Sequence, residues 1–124
     1  MRPLSLHEKK VFEGLCGTVS PEELATLRDA VRRHLGELLQ ASRRNELLPI
    51  DLAEELACRL DDLLEQLGSL AAEARPLVVG AARYFVTRDD VLPDQEGLLG
   101  LDDDVAVFNV VARRIGRADL EISG

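Results

Sequence analysis

The chain has almost no aromatic material: no Trp, one Tyr and three Phe among 124 residues. Its core must therefore be aliphatic, built from Leu, Val and Ala, with large rings at only a few points. Long apolar runs are absent too. No stretch approaches the roughly eighteen consecutive apolar residues that a membrane-spanning helix needs, and the start MRPLSLHEKK carries charge where a signal peptide would place its apolar segment. These features predict a chain with no membrane span and a cytoplasmic location. Cysteine is scarce: Cys16 and Cys58 lie far apart, with no CxxC or Cys/His spacing, so neither a metal knuckle nor a disulfide framework is expected and both read as buried free thiols. Positive charge is also in deficit. A formal net charge of -8 repels nucleic acid and anionic lipid, and excludes a general phosphate-binding surface.

What remains is ordinary globular composition, with 46% hydrophobic and 31% charged residues. At this length the chain reads as one domain, 1–124, able to bury roughly two thirds of the surface its unfolded form exposes. Thirteen of the fifteen basic residues are Arg, a usage that suggests a high-GC bacterial source.

The spacing of apolar residues predicts an all-α bundle of about five helices. Ser5 with Glu8, and Ser20 with Glu23 behind Pro21, are two capping boxes; they mark helix starts because the Ser hydroxyl and the Glu carboxylate satisfy helix-initial amides reciprocally. The first helix is predicted over 5–15, ended by Gly14 and Gly17. The second, 21–44, carries an aliphatic stripe of Leu24, Leu27, Val31, Leu35, Leu38 and Leu39. The third, 51–68, is capped by Asp51 and carries Ala53, Leu56, Ala57, Leu60, Leu63, Leu64 and Leu67. Helix two holds Arg28, Arg32, Arg33, Arg43 and Arg44, whereas helix three is acidic apart from Arg59, so the two are expected to pair as a hairpin. Exposed ion pairs contribute at most about 1 kcal/mol each, so the apolar stripes decide the packing. A fourth helix over 72–87 is apolar on more than one face and should be central, with Pro76 in its first turn or kinking it. A fifth is predicted over 103–116, and the 118–124 tail is expected to fray.

Between the last two helices runs YFVTRDDVLPDQEGLLGLDDDVA, residues 84–106, a concentration of carboxylates between apolar segments. This predicts a helix–acidic loop–helix motif in which Asp103 and Asp104 open the last helix, Pro93 fixes the turn and Gly97 and Gly100 relax the backbone. Arg83 and Arg113, near the motif in sequence, are candidates to pair with its acids. Alternatively Asp90, Asp94, Asp103 and Asp104, with Asp89 and Asp102 behind them, could converge on Mg2+ or Ca2+, which take oxygen ligands. The spacing is not that of an EF-hand. No catalytic residue is assigned: His7 reads as exposed, His34 as a packed residue on the edge of the second helix, and no Ser/His/Asp, Cys/His or phosphate-loop framework is present.

Residues 82–113 resemble the YkvA-like family of bacterial proteins, a family of unknown function. The resemblance rests on Tyr84-Phe85-Val86, Thr87, Asp90-Val91-Leu92-Pro93-Asp94, Gly100 and Asp103-Asp104. It departs at Arg88, Asp89, Gln95-Glu96-Gly97 and Asp102, where this chain is more polar than the family pattern. The resemblance implies an α-helical fold and no established activity. Many relatives look membrane-associated through an apolar hairpin, but charge in the connecting loop here argues for a soluble variant. Taken together, the residues predict a non-enzymatic interaction or scaffold module that docks a basic protein partner or self-associates, with no cofactor; the alternative is a divalent-cation protein or metal-assisted hydrolase using the acids at 90, 94, 103 and 104.

Overall fold

The computed structural model describes residues 4–43, 50–91 and 97–122, with side chains described at 4–41, 43, 50–86 and 104–122. It is an all-α bundle: α1 Leu6–Leu15, α2 Pro21–Ser42, α3 Ile50–Glu65, α4 Arg75–Val91 and α5 Gly97–Arg114. Single 3-10 turns, Leu67–Ser69 and Ala118–Leu120, follow α3 and α5.

Both capping boxes form. The Ser5 hydroxyl accepts from the Glu8 amide at 3.1 Å while Glu8 Oε1 accepts from the Ser5 amide at 2.8 Å, and Ser20 and Glu23 repeat the same pair of distances at the head of α2. Pro21 stands in the first turn, where its missing amide costs nothing. Asp51 lies inside the first turn of α3, not at its cap, because helix already begins at Ile50; there its charge still complements the helix dipole. α1 ends differently from the glycine stop that Gly14 and Gly17 suggest. Cys16 is the cap, in extended conformation, and neither glycine needs a left-handed backbone. The Arg83 guanidinium supplies the missing partner by donating to the Leu15 carbonyl at 3.0 Å.

The stripes of α2 and α3 face each other and α4, and α4 touches each of the other four helices. Val78, Val79, Ala82 and Phe85 of α4 are completely buried, as are Val107, Phe108, Val111 and Ala112 of α5. A helix apolar nearly all round has to lie inside the bundle, and Pro76 sits in the first turn of α4, where it is tolerated. α1 can cross α4 closely because residue 80 is glycine: a Cβ there would meet Cys16 Sγ at 2.6 Å and Phe12 Cε1 at 2.9 Å.

α5 starts six residues before the predicted Asp103. Leu98, Leu99 and Leu101 are strong helix formers, and helix persists through Gly97 and Gly100 although each glycine costs up to about 1 kcal/mol relative to Ala. α4 likewise continues to Val91. The acidic motif is thus mostly helical, with only residues 92–96 between the two helices outside the description. The segment after α5 is not loose either. Gly116, at φ 80°, reverses the chain; the Arg117 amide donates back to the Ala112 carbonyl at 2.7 Å and the Gly116 amide to Arg113 at 3.2 Å, a glycine-stopped helix end. Ile122 then returns to the core at 4% exposure.

Candidate functional site

Of the aspartates in the acidic motif, only Asp104 is among the described side chains. Pro93 and Asp94 lie outside the described residues, and the side chains of Asp89, Asp90, Asp102 and Asp103, with Gly100, lie outside the described side chains. Asp104 is described: it is buried at 6% exposure in the second turn of α5, on the side that carries Phe108 and Val111. Inside a helix the amides already bond to carbonyls four residues back, so Asp103 and Asp104 are not caps; capping needs one of the first free amides. The two arginines expected beside the motif have other described partners. Arg83 donates to Leu15, and Arg113 donates to Glu121 Oε1 at 3.2 Å. Among the described residues no group of three or more His, Cys, Asp or Glu is placed to hold a metal.

His34 behaves as the packed residue its position suggests. It is buried, its ring stands edge-on to Phe85 with centroids 4.7 Å apart, and Nδ1 lies 3.6 Å from Glu37 Oε1. His7 is exposed. Of the two thiols, Cys16 is half-buried and Cys58 is exposed, so the expectation of two buried cysteines fails at Cys58, which falls on the outer face of α3. Burial pushes the Cys16 thiol up from its ordinary value, opposed by the positive charge of Arg114.

The arrangement with the clearest chemistry is the outer face of α3. Steps of three and four residues place Asp51, Glu54, Glu55, Cys58, Asp62 and Glu65 on one exposed ridge about 21 Å long. Its two flanks are neutralised. On the α2 side, Arg28 grips Asp61 through Nε at 2.9 Å and NH2 at 3.4 Å, and Arg32 adds a third contact at 3.3 Å. The Arg28 hydrogen bond, reinforced by Arg32, holds the Asp61 carboxyl below the usual range and raises Arg28 in turn. On the other side Arg59 bonds Glu55 at 2.7 Å and the Leu120 carbonyl at 3.0 Å. Along the crest, Glu65 reaches Arg28 only at 3.8 Å, and among the described residues Asp51, Glu54 and Asp62 form no ion pair. The expected attraction between a basic α2 and an acidic α3 is therefore real but local: it uses Arg28 and Arg32, while Arg33 turns to Asp29 on its own helix at 3.7 Å.

An open groove of about 470 Å³ lies between α2 and α4, lined by Val19, Glu22, Glu23, Thr26, Leu27, Ala30 and Arg83. Glu23 is committed to the Ser20 cap, whose amide hydrogen bond keeps its carboxyl below the ordinary range, and Arg83 to Leu15. Both of these groups serve helix ends.

Sequence reasoning passed over Asn109. Buried at 5% exposure, it donates through Nδ2 to the Ile122 carbonyl at 3.0 Å and accepts from the Ile122 amide at 2.7 Å. The available signal was a lone amide in the apolar run VAVFNVVA, because a buried amide has to find partners.

No family model, curated protein or solved structure matches this chain. The geometry defines a helical bundle with a closed aliphatic core and an acidic outer ridge, and no helix among the described residues is long and apolar enough to cross a membrane.

Proposed function

We propose that the chain is a non-enzymatic interaction module whose α3 ridge docks a basic segment of a partner protein. The observation that carries this reading is the line of three carboxylates, Asp51, Glu54 and Asp62, exposed in steps of three and eight residues, with the cations that pair with α3 among the described residues lying on its flanks. Such a line attracts and orients a cationic helix or strand over its length, giving fast, salt-sensitive association more than high affinity. Leftover apolar area supports self-association less well: among the described residues the exposed large apolar side chains are Leu6, Val11 and Leu39, and scattered single residues of this kind are normal on a monomer. The YkvA-like relationship is part of the same proposal, supported by the motif residues it was drawn from and by the helices that flank residues 92–96.

The test separates a site from net charge. A labelled lysine- and arginine-rich helical peptide is titrated against the intact chain, against Glu54→Lys/Asp62→Lys, and against Glu13→Lys/Glu73→Lys, which changes the total charge equally at exposed positions off the ridge. The ridge variant should lose affinity about tenfold and the control less than about threefold, with both losses shrinking as salt is raised. Equal losses in the two variants would show that only total charge matters and would overturn the reading.

A further inference from the structure

We draw no further inference here: the strongest candidate, the exposed surface patch on the outer face of α1 that carries Leu6, His7, Lys10 and Val11, is an unpartnered helix face, and nothing in the structure shows what covers it.

Discussion

At Gly80 a hydrogen in place of a side chain lets α1 lie against α4. The nearest atoms a Cβ would meet, Cys16 Sγ at 2.6 Å, Phe12 Cε1 at 2.9 Å and Cys16 Cα at 3.2 Å, include backbone, so the contact cannot be relieved by a rotamer change alone. Gly80→Ala should therefore lower stability by about 1–3 kcal/mol in urea unfolding, although Ala is intrinsically the better helix former by about 1 kcal/mol. A neutral or stabilising result would mean that α1 does not pack there. Asp61 makes a second prediction at this scale. Arg28 and Arg32 depress its folded carboxyl below the unfolded value, so the stability it contributes is fully present above the ordinary Asp range and is lost as pH falls through the depressed folded value. The melting temperature of the intact chain should exceed that of Asp61→Asn at neutral pH, and the gap should close on acidification below about pH 4. A gap independent of pH would show that the charge of Asp61 does not matter.

The helices differ in how openly the sequence declares them. α1 and α2 are announced by paired Ser and Glu three residues apart, a signal that needs no tertiary context, and both caps form as written. α3 is announced by its stripe, whose residues Ala53, Leu56, Ala57, Leu60, Leu63 and Leu64 are all buried. Leu60→Asp should consequently cost about 4 kcal/mol or more, because Leu60 is 1% exposed and a carboxylate there has no partner; a variant that melts like the intact chain would remove α3 from the core. The start of α5 is concealed by Gly97 and Gly100, which look like loop punctuation yet lie inside a helix. Its closure by the following segment is concealed for a different reason. The Asn109–Ile122 exchange joins residues thirteen apart through one side chain, and neither helical nor strand periodicity reports such a contact.

For the whole molecule, an aliphatic core placed on α3, α4 and α5 leaves function to the exterior, and the exterior is strongly negative at -8 overall. That balance can be read from composition alone. Which acids stay unpaired cannot, because it depends on where α2 lies: Asp61 and Glu65 are four residues apart on α3, yet Arg28 meets the first at 2.9 Å and the second only at 3.8 Å. The ridge became visible once the flanks of α3 had been assigned to α2 and to the segment after α5. The sharper sequence signal, the carboxylates from Asp89 to Asp104, gives way to a largely helical segment in which Asp104 is buried. Residue-resolved NMR tests the proposed recognition on α3 most directly. On titration with the basic helical peptide at low salt, the amides that shift should be those at and beside Asp51, Glu54, Glu55, Cys58, Asp62 and Glu65, and the shifts should reverse on adding salt. Shifts centred instead on residues 89–104, or spread evenly over every acidic position, would contradict it.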